Sequence, residues 1–238
     1  MHEPSEFTKQ VAASGEPHWR EVGVGPWESE HPGEPVPTDP RMDPQLLRDG
    51  DRRNVMDRYR YWTVEAIKAD LDAQGRHPFE VAIENWTHDF NIGSIVRTAN
   101  AFTANRVHIV GPHKWNRKGA LMTELYQHVE HHPSIEALVD DVRRESDETG
   151  MPMPRIVALD IVPGAVPIET YDFPERCLML FGAEGPGLSK KALELADDVV
   201  YISQFGSVRS LNAGAAAAVA MHAWIAQHAA PEAKACAA

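Results

Sequence analysis

From about residue 77 onward, short apolar runs alternate with stretches in which apolar residues recur every three or four positions. Phe79-Glu-Val-Ala-Ile-Glu84 reads as a strand. Asn91 to Ala104 reads as a helix, with Ile92, Ile95, Val96, Ala99 and Phe102 on its apolar side. Arg106-Val-His-Ile-Val110 is a second strand, ended by Gly111-Pro112. Residues 119–128 and 134–147 read as helices, and Pro154 to Asp160 as a strand. Cys177 to Phe181 is another strand, followed by a helix from Ser189 to Ala196. Val199 to Ile202 is the last strand, and Ser210 to His228 a long closing helix. Strands separated by single helices predict an α/β fold with a parallel sheet covered on both faces.

Upstream the pattern differs. Residues 1–45 are rich in Pro, Gly and Glu, show no apolar period and are expected to be irregular. A helical pattern starts near Pro44, runs through Leu46, Leu47, Val55, Tyr59, Trp62, Ala66, Ile67 and Leu71, and ends near Gly75. The expected organisation is an irregular extension over 1–45, a helical extension over 46–76, one domain over 77–230 and a short tail over 231–238.

Composition narrows the picture. The 238 residues suit one α/β domain plus an extension, and 43% hydrophobic content supports a real core. A formal charge of -12 argues against non-specific coating of nucleic acid but leaves room for a local basic face. Two cysteines exclude a disulfide framework, and Cys177 reads as a buried small hydrophobe. The start, Met-His-Glu-Pro-Ser-Glu, has neither a basic nor an apolar stretch, so a signal peptide is not expected. The apolar run Ala213 to Ala220 is too short to span a bilayer, and a cytoplasmic protein is expected.

Four segments carry candidate chemistry. Phe181-Gly-Ala-Glu-Gly-Pro-Gly-Leu-Ser189 joins a strand to a helix through three glycines, which lets backbone pass close to a ligand or simply makes a tight turn. It is neither the Gly-x-Gly-x-x-Gly dinucleotide pattern nor a phosphate loop. Gln204-Phe-Gly-Ser-Val-Arg-Ser-Leu-Asn212 gathers Ser207, Ser210 and Asn212 before a helix; capping accounts for one of them, not three. Asn91 sits where an N-cap belongs, and Arg97 follows nearly two turns later as a surface cation or a site residue. Arginines interleave with aromatics at Arg52, Arg53, Arg58 and Arg60 and again at Lys114, Arg117 and Lys118, a composition suited to phosphate contact and base stacking. The opposing reading is an amphipathic helix with its aromatics buried and its arginines outside. His128-Val-Glu-His131-His132 has no metalloprotease spacing and no second ligand cluster in sequence, so it reads as a solvated helix end and no metal is expected.

Taken together and in order, Asn91-Ile-Gly-Ser-Ile-Val-Arg97-Thr-Ala-Asn-Ala-Phe102, Leu180-Phe-Gly-Ala-Glu184-Gly-Pro-Gly-Leu-Ser189, and Ile202 with Ser210-Leu-Asn212 and the Ala-rich helix resemble the three motifs of the SpoU/TrmH branch of the SPOUT RNA methyltransferases. The likeness covers roughly residues 79–228. It implies a C-terminal trefoil knot, S-adenosylmethionine held there, a homodimer with active sites near the interface, and methyl transfer to a ribose 2′-hydroxyl of tRNA or rRNA. Arg97 and Asn91 match the family's catalytic pair, and Glu184, Ser210 and Asn212 its other polar site residues. Leu159, Gly182, Glu184, Gly187, Ile202 and Leu211 are then expected to line the cofactor pocket. Ser203-Gln204 stand where the family usually has Pro-Met, Ala213-Gly214 where it has Val-Ser, and Thr103 where it has Gly, which leaves subfamily and substrate open.

In that family the arginine matched by Arg97 is proposed as the base. A guanidinium ordinarily titrates near 12.5, and bringing it to neutrality costs roughly 7 kcal/mol at ~1.4 per unit. Phosphate binding and stabilisation of alkoxide charge suit Arg97 better. The competing classes are a knotted RNA-binding protein without turnover, which the intact polar set argues against, and a nucleotide-dependent oxidoreductase, which the missing dinucleotide pattern argues against.

Overall fold

The computed structural model describes residues 6–13, 15, 22–86 and 91–229. The chain divides into two compact units, Met1–Thr63 and Val64–Ala238.

The first unit is more ordered than its composition predicts. It contains short helices α1 (Glu6–Ala13), α2 (Trp27–Glu30) and α3 (Pro44–Asp49). Asp43 caps α3, its carboxylate accepting from the Gln45 and Leu46 amides, and Pro44 occupies the first turn. The continuous helix expected from Pro44 to Gly75 is not formed. Gly50, at φ 89°, ends α3, and the chain runs through an irregular stretch with one 3-10 turn (Asp57–Tyr59) before the next helix starts at Val64. Buried Asp51 organises that stretch. It accepts from the backbone N–H groups of Arg53 and Tyr61, both 3.0 Å, and from the Arg53 guanidinium at 2.9 and 2.7 Å. Tyr61 takes a left-handed backbone at φ 64°, and its hydroxyl donates to Gly25 O at 2.7 Å. Apolar spacing alone could not register this break, because Tyr59 and Tyr61 are buried by the loop, not by a helix face.

The second unit opens with α4 (Val64–Gln74). Its strands are β1 (His77–Glu84), β2 (Ala104–Val110), β3 (Val129–His132), β4 (Arg155–Leu159), β5 (Val166–Pro167), β6 (Cys177–Phe181) and β7 (Asp198–Tyr201). All pair in parallel, in the order β3-β2-β1-β6-β4-β7-β5. The remaining helices are α5 (Ile92–Ala101), α6 (Ile135–Thr149), α7 (Lys190–Leu195) and α8 (Ala213–His228).

Strand periodicity of two sorts the core into two layers. Phe79, Val81 and Ile83 of β1 join Met179 and Phe181 of β6 beneath α5 and α8. Ala82, Leu178 and Leu180 join Ile156 and Ala158 beneath α6 and α7. Central strands buried on both faces explain the near-continuous apolar runs. Trp224 of α8 lies against Phe79, ring centroids 4.7 Å apart, and its indole N–H reaches the Pro174 carbonyl at 3.1 Å.

Two expectations are corrected here. Residues 119–128 form two 3-10 turns, Arg117–Ala120 and Thr123–Leu125, rather than a helix. Left-handed backbone at Leu121 and Met122, φ 48° and 70°, separates them. Residues 129–132 are the edge strand β3, not a helix end, with His132 buried. Four residues are too few for a period of two to be distinguished from helix in sequence.

Candidate active site

The turn after β6 closes on itself. Gly187 N donates to Ala183 O at 3.0 Å, and the two residues form an isolated antiparallel bridge. A methyl group on Gly182 would lie 2.1 Å from the Gly187 carbonyl carbon. Gly182 is therefore demanded by the turn's own backbone, the tight-turn alternative that the sequence left open. Gly187, at φ 73°, would bring a Cβ within 3.1 Å of the Asp160 carboxylate. Glu84, buried at the end of β1, accepts from Ser189 N at 2.7 Å and fixes where the turn gives way to α7.

Glu184 projects from this turn and links the three motif segments. Asn91 Nδ2 donates to Glu184 Oε2 at 2.6 Å, and Asn212 Nδ2 donates to Asn91 Oδ1 at 2.8 Å. Ala213 N also donates to Glu184 Oε2, at 3.3 Å. Asn212 Oδ1 in turn caps α8, accepting from Ala215 N at 3.2 Å. Asn91 occupies the N-cap position of α5 but makes no side-chain cap bond; its amide serves the network instead. Gly214 sits close to Asn212 and to Ser94 of α5, so the starts of α5 and α8 approach closely.

Beside this network lies a cavity of about 270 Å³ outside the carboxyl ends of β4, β6 and β7, where open parallel sheets place ligands. Leu159, Gly182, Glu184, Gly187, Ile202 and Leu211 all line it, as does Ser210. Sequence reasoning missed Asp160, Gln204 and Arg209, which also face it. Asp160 was findable, being the first polar residue after a parallel strand. Its carboxylate accepts from Ile161 N at 2.7 Å and Leu188 N at 3.2 Å, tying the β4 end to the glycine turn.

Arg97 is not brought into this cavity. It is exposed on α5 and makes no hydrogen bond or ion pair among the described residues. The basic segments divide. Arg53 grips Asp51 and donates to Trp62 O at 2.7 Å, and Arg60 donates to Arg53 O at 2.7 Å, so both hold their own loop. Arg52, Arg58, Lys114, Arg117 and Lys118 are exposed. Their aromatic neighbours do not offer stacking faces in the way the interleaving suggested: Tyr59 is buried, with Arg58 over its ring at 4.6 Å, and Trp115 belongs to the core. The loop Asn85 to Phe90 before Asn91 is described only as far as Trp86, so its remainder lies outside the described residues.

A parallel α/β sheet with a small-molecule cavity built from two consecutive strand–turn–helix units, tied together by a polar network, defines an open-sheet α/β protein with its ligand cavity at the carboxyl ends of the strands. The SpoU rRNA Methylase family model matches residues 78–222, and the chain belongs to that family. It is 29% identical over 156 residues to the tRNA (guanosine(18)-2′-O)-methyltransferase of Escherichia coli, covering 64% of this chain and 65% of that protein. It is 30% identical over 153 residues to the Thermus thermophilus enzyme of the same name, covering 58% and 70%. The matched stretch thus spans a little less than two thirds of the E. coli protein. Among solved structures, the SpoU methyltransferase AviRb from Streptomyces viridochromogenes in complex with AdoMet superposes with a TM-score of 0.58 at 28% identity, covering 65% of this chain and 60% of that one. The A. aeolicus TrmH/SpoU tRNA modifying enzyme shares the fold, with a TM-score of 0.58 at 18% identity, over 69% of this chain and 81% of that one.

Proposed function

We propose that this chain transfers the methyl group of S-adenosylmethionine to a ribose 2′-hydroxyl of tRNA or rRNA. The observation that carries this reading is the Asn91–Glu184–Asn212 network, which joins all three motif segments at the mouth of a backbone-lined cavity.

The cavity's residues suit that cofactor. Leu159, Ile202 and Leu211 offer apolar surface to a purine, Asp160 and Glu184 bring negative charge suited to a sulfonium, and Arg209 brings a cation suited to a carboxylate. When bound, the cofactor supplies an already activated methyl group, so the chain's task is placement and charge control. Asn91 and Asn212 hold the two turns in register through Glu184. Ser210 orients the ribose. Arg97 binds the neighbouring phosphate and stabilises charge developing on the 2′-oxygen. Its position outside the cavity accords with an active site completed near a homodimer interface. The exposed apolar residues Phe205, Val208 and Leu211, all on the turn between β7 and α8, support such an assembly.

The strand order supports a trefoil knot. The chain leaves β6, passes beyond β4 to form β7, and returns in α8 to pack beside α5. No helix among the described residues is long and apolar enough to cross a membrane, in keeping with a cytoplasmic site of action.

Calorimetry with S-adenosylhomocysteine and with NAD, followed by tritium transfer from S-adenosylmethionine to bulk RNA, tests the reading. Binding of the first ligand and label in RNA that resists base modification analysis but appears in 2′-O-methylnucleosides are expected. Binding without transfer would leave a knotted RNA-binding protein, and binding of NAD alone would end the proposal.

A further inference from the structure

At the opposite edge of the sheet from the cofactor cavity, under α6, lies a cluster that the methyl-transfer chemistry does not use. His108 of β2 and His132 of β3 are buried, and their rings face each other, Nδ1 of His108 lying 3.0 Å from Nε2 of His132. Glu130 Oε2 stands 3.7 Å from the first of these nitrogens and 3.9 Å from the second. The parallel register creates the group by pairing His108 with Glu130 and Val110 with His132. Only the β3 half was visible in the histidine-rich run; its partner comes from a strand 24 residues earlier.

We propose that His108, Glu130 and His132 form a zinc site. Three observations converge on it. First, the three ligand atoms stand 3.0, 3.7 and 3.9 Å from one another, bracketing the spacing of roughly 3.4 Å between ligands on a tetrahedral zinc with bonds of about 2.1 Å. Second, each ring's remaining nitrogen already faces a carboxylate: His108 Nε2 is 2.9 Å from Glu80 Oε2, and His132 Nδ1 is 3.1 Å from Asp141 Oδ2. When each ring gives its N–H to that carboxylate, the two facing nitrogens both present lone pairs, the arrangement that orients metal-bound histidines. Two facing lone pairs repel unless a proton or a cation lies between them. Third, the surroundings carry excess negative charge. Among the described residues, Glu80, Glu130, Asp141 and Glu145 gather here with Arg106 and Arg144 as the cations in direct ion-pair contact with them. A small cavity of about 190 Å³ opens onto the cluster and leaves room for a fourth ligand such as water.

Such an ion would fasten the four-residue edge strand β3 to β2, and through Asp141 to α6. A hard cation such as Mg²⁺ prefers an all-oxygen octahedral shell and does not suit two imidazoles. The role is structural, and the site lies on strands that contribute nothing to the cofactor cavity.

The test uses the full untagged chain, stripped by chelator dialysis and titrated with Zn²⁺ and, for its spectrum, Co²⁺. One equivalent of zinc retained through gel filtration, tetrahedral Co²⁺ absorption bands, a zinc-dependent rise in Tm and no response to Mg²⁺ are expected. Glu130→Gln, at a half-exposed position that tolerates change, should weaken zinc binding at least about tenfold. Asp141→Asn should weaken it about tenfold by releasing the His132 ring. His131→Ala, on the same strand but exposed, should leave binding unchanged. The proposal is overturned if the stripped chain retains no zinc, if His131→Ala abolishes binding, or if Glu130→Gln and Asp141→Asn, shown by circular dichroism to be folded, bind as the wild type does.

Discussion

A single added methyl group at Gly182 would collide with backbone, not with a movable side chain. Gly182→Ala must therefore open the Ala183–Gly187 bridge, at a cost of about 3 kcal/mol, typical of the upper range for overpacking. A lower Tm together with loss of S-adenosylhomocysteine binding by calorimetry is expected, because the same turn walls the cavity. Arg97→Lys should behave differently. It keeps the charge and loses the planar fork. Turnover should fall about 100-fold, as for removal of one charge-stabilising donor, with cofactor affinity unchanged because Arg97 lies outside the cavity. Wild-type turnover in that variant would remove Arg97 from the chemistry. Cys177 illustrates burial acting alone: enclosed in β6, its thiol is pushed up to about 12, first by desolvation and then by the nearby Glu80 carboxylate. Peptide mapping after iodoacetamide treatment at pH 8 should find Cys177 unmodified in the native chain and modified after denaturation.

At the scale of elements, the segment from Gly50 to Thr63 depends on one carboxylate. Burial pushes the Asp51 carboxyl up, but the Arg53 guanidinium and the amides of Arg53 and Tyr61 outweigh it and hold the group below its ordinary value of 3.8. A depressed folded-state pKa contributes stability that is complete above the unfolded value of about 3.9 and is lost as pH falls through the lower folded value. The protection of the Tyr61 amide, relative to the unstructured exchange rate at the same pH, should therefore fall on acidification below about pH 4 and stay level between pH 5 and 8. Asp51→Asn leaves Arg53 without its buried partner, a loss of about 3 kcal/mol. Exchange through this stretch should rise roughly 100-fold at neutral pH, at 1.4 kcal/mol per tenfold. The starts of α5 and α8 show the same economy of means: Asn91, where sequence suggested a cap, gives its amide to Glu184, while Asn212 both caps α8 and holds Asn91.

For the molecule as a whole, the net charge of -12 bears on the proposed RNA substrate, which would have to be met on a local basic face. Of the cations proposed for RNA contact, Arg53 and Arg60 are held by their own loop, whereas Lys114, Arg117 and Lys118 are exposed beside the β2 end. RNA affinity should fall as salt rises, and Lys118→Ala should reduce the log–log slope by about one, measured by filter binding across a salt series. An unchanged slope would place the RNA elsewhere. Most of the alternation of strands and helices from β1 onward and the tight turn after β6 were legible in the sequence, because they depend on local backbone demands and on strand and helix period, whereas the polar residues of the three motifs were picked out by resemblance and not by period. Local pattern also sufficed for β1, β2, β4, β6 and β7, whose apolar runs reflect burial on both faces. Other features depended on distant chain. The break after Gly50 is set by Asp51 reaching Tyr61. The short strand β3 exists because β2 lies beside it. The zinc-type cluster arises because parallel register sets His108 opposite Glu130. Tertiary structure alone decided that Gly182 serves its own turn, that Arg53 is structural and that Trp115 is core. Each of these is a contact between residues that the chain's local pattern treats as independent, and only packing brings such groups within bonding distance.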